Sequence, residues 1–152
     1  MSINPPRGKP FLLDGQIGFL LRGAYQRASE NLSARIGAHD LTPPQFAVLA
    51  RLRERGKMPQ NELGRAVFME PANIRDVVQR LKKRGLVRTE NSPADKRLLF
   101  SALSPEGARL VEKIIPLDAD SSSVTLAPLN ARESALLRAL LRRIADAGSA
   151  PP

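Results

Sequence analysis

Apolar residues recur along this chain mostly at helical spacing. Leu13, Ile17, Leu20, Leu21, Ala24, Ala28, Leu32 and Ile36 form one stripe, predicting a long helix over residues 12–36 that Gly37 ends. Thr42, Pro43 and Gln45 make a capping-box start for a second helix that turns Phe46, Leu49, Ala50 and Leu52 inward and stops at Gly56. A short helix follows over residues 59–67. Pro71 then suits the first turn of another, where its missing N–H loses nothing. Ile74, Val77, Val78 and Leu81 place one apolar stripe on that helix, which runs to Arg84 before Gly85, a residue fit for the left-handed position past a helix end. Glu70 is a weak cap for it.

The period then changes. Residues 86–90 and 98–103 read as strands around the polar tip 91–97, in which Pro93 and Asp95 are turn-formers. Asp95 is placed to pair with Arg97 and fix its direction. Ser104 and Pro105 start the next helix, carrying Ala108, Val111, Ile114 and Ile115. Pro116 is expected to kink or interrupt it, and the Ser-rich stretch 118–125 reads as weak helix or mobile chain. Asn130 and Glu133 begin a last helix striped by Leu136, Leu137, Leu140, Leu141 and Ile144, which reads as subunit interface or as core.

The expected fold is mainly α with a small β-hairpin wing: a winged helix-turn-helix lobe plus a helical dimerisation region. Residues 1–10 read as a flexible arm and 147–152 as a tail. Residues 11–146 make one domain, with 11–37 and 104–146 as dimerisation helices and 41–103 as the lobe.

Charge sharpens this picture. Net charge is +9, and residues 51–100 hold 13 Lys+Arg against 6 Asp+Glu, so +7 of it lies in the winged lobe. A cationic lobe is the footprint of phosphate binding. On the helix that starts at Pro71, the polar face offers Ala72, Asn73, Arg75 and Gln79 for base readout in a major groove, since Asn, Arg and Gln reach base edges with paired hydrogen bonds. Arg80, Lys83 and Arg84 fall where phosphates pass, although a cationic helix end also complements the helix dipole. Lys96 and Arg97 at the wing suit a narrow minor groove. The partner implied is double-stranded DNA with a pseudo-palindromic operator.

Other chemistries find little support. There is no Cys and one His, which excludes disulfides and thiolate metal sites, and no phosphate-binding loop or nucleophile elbow is present. No enzyme activity, cofactor or metal is expected. No apolar run approaches the ~18 residues of a membrane span.

The order of these motifs resembles the MarR family of bacterial transcriptional regulators. The likeness covers about residues 12–146. It rests on Leu41-Thr42-Pro43-Pro44-Gln45-Phe46-Ala47-Val48-Leu49, Gln60-Asn61-Glu62-Leu63-Gly64, the run from Val78 to Arg88, the wing Asp95-Lys96-Arg97 and Leu103-Ser104-Pro105-Glu106-Gly107. Gly18-Phe19-Leu20-Leu21-Arg22, Gln60-Asn61 and Leu126-Ala127-Pro128-Leu129 are similar to the branch that controls breakdown of aromatic acids, with nicotinate- and coumarate-type repressors. The resemblance implies a cytoplasmic, nucleoid-associated homodimer, a repressor released by a small aromatic acid. It implies a ligand pocket near Arg22 and Tyr25 on the first helix, His39 after it, and Phe46 on the second. Tyr25-Gln26 stands where that branch often has a histidine. The alternative from the residues alone is a winged-helix architectural or protein-interaction module without ligand control.

Overall fold

The computed structural model describes residues 8–149. Most of the expected N-terminal arm and the last three residues of the tail lie outside them. Ala147–Ser149 form a short 3-10 turn.

The first helical stripe is broken near its start. Leu13–Gly15 make one 3-10 turn, and α1 runs Ile17–Ile36 behind Gln16, whose side chain accepts a hydrogen bond from the Phe19 N–H at 2.7 Å. α1 ends where Gly37 follows it, as expected, but not through a left-handed glycine. Gly37 stays right-handed (φ −58) and leads into a 3-10 turn, Gly37–His39, and Asp40 takes the left-handed conformation instead (φ 54). A short polar side chain tolerates that region. The predicted capping box opens α2 (Pro43–Arg55), with both Thr42 and Gln45 bonds formed.

Met58–Pro59 form a two-residue strand β1, too short for any alternation to reveal. It pairs with β3 (Leu99–Leu103), which pairs in turn with β2 (Val87–Asn91), so the wing is a three-stranded antiparallel sheet in the order β1-β3-β2. Pro59 is tolerated because β1 is an edge. Between β1 and β2 lie α3 (Gln60–Ala66) and α4 (Pro71–Lys83). Gly85 follows α4 at φ 71, as its sequence position predicts.

Pro116 does not interrupt α5, which is continuous over Pro105–Thr125. A proline inside a helix forfeits one backbone bond, and this one sits on the exposed side, where water can serve the freed carbonyl. Val111 and Ile114 before it are fully buried and Leu117 after it packs on the same core, so both halves are held on one axis. The Ser-rich stretch is helix rather than mobile chain. Ser121 is buried, Ser123 and Thr125 hydroxyls donate to the carbonyls of Ala119 and Ser121, and Asn31 Nδ2 on α1 donates to Thr125 Oγ1 at 3.0 Å.

The core gathers Ile36, Val48, Leu49, Leu52, Leu63, Ile74, Val78, Leu81, Val111 and Ile114, all at most 2% exposed. The last helix, α6 (Ala131–Asp146), buries no residue against the described chain. Leu136, Leu137, Leu140, Leu141 and Ile144 stay exposed there, as do Phe11, Leu12, Leu13, Ile17, Phe19 and Leu20 around the start of α1. The alternative of α6 as intrachain core therefore fails. Two amphipathic surfaces are left without a cover, the condition that favours association.

Candidate nucleic-acid interface and effector cavity

Helix α4 presents three faces. Ile74, Val78 and Leu81 are buried, which fixes the rotation of the helix in the lobe. Ala72, Arg75, Gln79 and Lys83 point away from the core and are exposed. Arg75 and Arg97 both line a groove of about 670 Å³ bounded by α3, the first turn of α4 and the wing. Helix α4 and the wing thus bring two guanidinium groups to one concave surface, beside that of Arg65 on α3.

The wing tip is built by short side-chain-to-backbone bonds. Ser92 Oγ accepts from the N–H groups of Ala94 and Asp95, and Asn91 Nδ2 donates to the Lys96 carbonyl at 2.7 Å. Asp95 Oδ1 accepts from both the backbone N–H and Nε of Arg97, at 3.0 and 3.2 Å, so the expected pair is present. The Arg97 side chain is 91% exposed all the same. Such a pair aims a cation rather than neutralising it; in high dielectric it contributes well under ~1 kcal/mol.

Of the expected DNA residues only Arg75 and Arg97 line this groove, and two of the others bond within the chain. Arg84 turns back: its guanidinium donates to the carbonyls of His39 (3.1 Å) and Asp40, tying the end of α4 to the 37–40 turn. Arg80 is exposed but shares its Nε with Asp76 Oδ2 at 3.0 Å, one turn away.

The third face of α4 carries Asn73, Asp76 and Val77, and it walls a second cavity of about 1010 Å³. The other walls come from α1 (Tyr25, Ala28, Ser29, Leu32), α2 (Pro43, Pro44, Phe46, Ala47), the turn Val67-Phe68-Met69, α5 (Asp118, Ser121, Ser122, Thr125) and Arg138 of α6. Tyr25 and Phe46 are therefore brought together as expected, though Phe46 is also core, at 8% exposure. Arg22 and His39 do not line this cavity. Arg22 is exposed elsewhere on α1, and His39 sits half-buried in its turn.

Sequence reasoning missed the polar groups of this cavity. Arg138 is the cation on its wall. Burial pushes the Asp118 carboxyl above the ordinary carboxylate range, against the opposing pull of Arg138. The hydroxyls of Ser121, Ser122 and Thr125 follow Asp118 at i+3, i+4 and i+7, a polar stripe at helical spacing. That signal was present in the stretch that read as weak helix.

The lobe that carries the cationic groove matches a protein-family model. That model, described as the MarR family, matches residues 39–98. The transcriptional repressor NicR of Pseudomonas putida is 36% identical over 95% of this chain and 92% of its own. The chain belongs to the MarR family. It is a DNA-binding transcriptional regulator and not an enzyme. Among solved structures, Bordetella bronchiseptica BpsR, described with regulation of its DNA binding by 6-hydroxynicotinic acid, is 35% identical at a TM-score of 0.84, covering 91% of this chain and 99% of that one. Streptomyces coelicolor PcaV in complex with its natural ligand is 32% identical at a TM-score of 0.82, covering 92% and 99%.

Proposed function

We propose that this MarR-family regulator is a homodimeric repressor released from a pseudo-palindromic operator by a small aromatic carboxylate in the 1010 Å³ cavity. The observation that carries the reading is the composition of that wall. It joins helices α1, α5 and α6 to one face of the recognition helix α4, so a molecule bound there touches both the helical scaffold and the DNA reader. Tyr25 and Phe46 offer rings for stacking, and Arg138 offers a counter-ion for a carboxylate. BpsR, regulated by 6-hydroxynicotinic acid, supports an aromatic acid by similarity, and PcaV, solved with its natural ligand, supports a small-molecule effector.

On DNA, Ala72, Arg75 and Gln79 are the base readers, with Asn73 at the edge shared with the cavity. Arg80, Lys83, Lys96 and Arg97 meet phosphates or the minor groove, and we assign Arg84 to bracing α4 instead. The apolar faces of α6 and of the start of α1 close the dimer, and burying each half-exposed leucine there contributes about 1 kcal/mol. Two recognition helices then stand ~34 Å apart, one turn of DNA. A repressor with this task works in the cytoplasm. Among the described residues no helix is long and apolar enough to cross a membrane.

The test is a fluorescence-polarisation titration on the DNA upstream of its own gene, with and without a panel of hydroxylated aromatic acids and their CoA thioesters. Tight, salt-dependent binding that one compound reverses supports the reading. Binding no tighter than to random DNA sinks it and favours an architectural module.

A further inference from the structure

Two helices of the lobe end in the same backbone motif. After α4 the Leu86 N–H donates to the Leu81 carbonyl at 3.0 Å and the Gly85 N–H to the Lys82 carbonyl at 2.9 Å, with Gly85 left-handed at φ 71. After α3 the Met69 N–H donates to the Gly64 carbonyl at 2.9 Å and the Phe68 N–H to the Arg65 carbonyl at 3.2 Å, with φ 57 at Phe68. Both are Schellman closures, whose left-handed position glycine fills without a steric penalty. Here a phenylalanine fills one of them. Its β-carbon crowds the following carbonyl, and a bulky side chain in this region is a genuine outlier.

Burial of the ring would be the ordinary compensation, but Phe68 is 74% exposed. The ring stands instead on the boundary between two concave surfaces. It lines the effector cavity, and it lines the groove shared by Arg75 and Arg97. Three residues later Pro71 begins the recognition helix. Strain of this kind persists where the residue serves a ligand or a switch.

We propose that Phe68 is an effector-binding residue whose ring stacks on a planar aromatic or heteroaromatic acid in the cavity, drawing the turn that carries α4 toward the ligand. The inference rests on the cavity being the effector site. It adds the requirement of a flat ring at the α4 end: a saturated ring acid, equal in charge, lacks the face that Phe68 recognises.

The experiment compares wild type with Phe68→Gly and Phe68→Ala, using salicylate, 6-hydroxynicotinate and cyclohexanecarboxylate as probes. Calorimetry reads binding, circular dichroism reads melting, and polarisation reads release of DNA. Wild type binds an aromatic probe and not the saturated one. Phe68→Gly weakens that binding about tenfold, the scale of one aromatic pair, and raises by the same factor the concentration that releases DNA. It also melts about 2–4 °C higher, because the left-handed penalty is gone. Phe68→Ala weakens binding equally without that gain, since alanine keeps the β-carbon. Unchanged probe affinity in Phe68→Gly, or a lower melting temperature, overturns the proposal. Loss of operator affinity with probe affinity intact also overturns it, by making the ring a DNA contact. Wild type that binds neither aromatic probe sinks the effector reading, and the stacking role with it.

Discussion

Gly107 is the position where one added carbon does most damage for a reason the geometry states. It sits in the first turn of α5, against the backbone that joins the recognition helix to the wing. A β-carbon there stands 2.0 Å from the Leu86 carbonyl oxygen and 3.0 Å from its carbon. Ordinary carbon–oxygen contact begins near ~3.3 Å, so the two elements must part by more than about 1 Å. The carbonyl is not free to move. It accepts from the Ser104 N–H at 3.1 Å, and Ser104 Oγ donates to the Gly85 carbonyl at 2.5 Å while accepting from the Gly107 N–H at 3.0 Å. Overpacking costs about 1–3 kcal/mol and each broken bond about 1 kcal/mol, against about 1 kcal/mol returned by the better helix former. Gly107→Ala should therefore lose roughly 2–4 kcal/mol and ~5–15 °C of melting temperature. Urea unfolding followed by circular dichroism measures it. Gly37→Ala is the control: its φ is −58, nothing lies within 4 Å of the added carbon, and it should be neutral or stabilised by up to ~1 kcal/mol. If Gly107→Ala unfolds within ~0.5 kcal/mol of wild type, Leu86 is not the fixed wall this account requires.

Arg75→Ala should cost about 1–3 kcal/mol on the cognate operator and relax preference at one base pair; equal losses on every sequence in a polarisation series would make Arg75 a phosphate contact. Leu140→Glu puts a charge on the exposed α6 stripe and should turn a dimer into a monomer by sedimentation, with operator affinity lost in parallel; a stable dimer would remove α6 from the interface. Asp118 carries a pH signature, because burial raises its folded pKa above the unfolded one. The folded chain therefore keeps a proton the unfolded chain has released, and the stability this gives is full below the unfolded pKa and lost as pH rises through the raised value. Asp118→Asn should gain stability over wild type above that window and not below it. A loss at neutral pH would mean that attraction to Arg138 outweighs desolvation.

What could be read from the sequence was what neighbours along the chain decide. Thr42 and Gln45 close a capping box three residues apart, and Ile74, Val78 and Leu81 need only the helical period to find the core. Gly85 ends α4 because no side chain competes for that conformation. The misses have another source. Pro116 obeys a local rule that packing on both sides overrides. β1 exists only because Ser101 and Phe100, some forty residues away, offer it hydrogen bonds. Nothing in the local sequence says that Phe68 adopts a glycine conformation. The cavity draws on five helices and a turn, so Arg138 and Asp118 meet only in three dimensions. Arg22 and Arg84 show the converse, since a cation in a suitable register turns elsewhere once its surroundings are drawn.

The same geometry limits how an effector can release DNA. One direct path exists on α4: Asp76 lines the cavity and holds Arg80 one turn away on the exposed surface. Breaking that pair is worth about 0.3–0.5 kcal/mol, since the side chains are 64% and 68% exposed, and that changes affinity by about twofold. A hundredfold release needs about 2.7 kcal/mol of difference between the two states. The remainder must come from moving the reader as a body. The buried stripe of Ile74, Val78 and Leu81 holds α4 in its lobe, and Arg84 ties its end to the 37–40 turn where α1 meets that lobe, so α4 moves with the elements it packs on. A ligand held between Arg138 of α6 and the turn before α4 fixes the distance between scaffold and lobe. In a dimer closed through α6 that distance sets the separation of the two recognition helices, the quantity an operator of fixed helical pitch tolerates least.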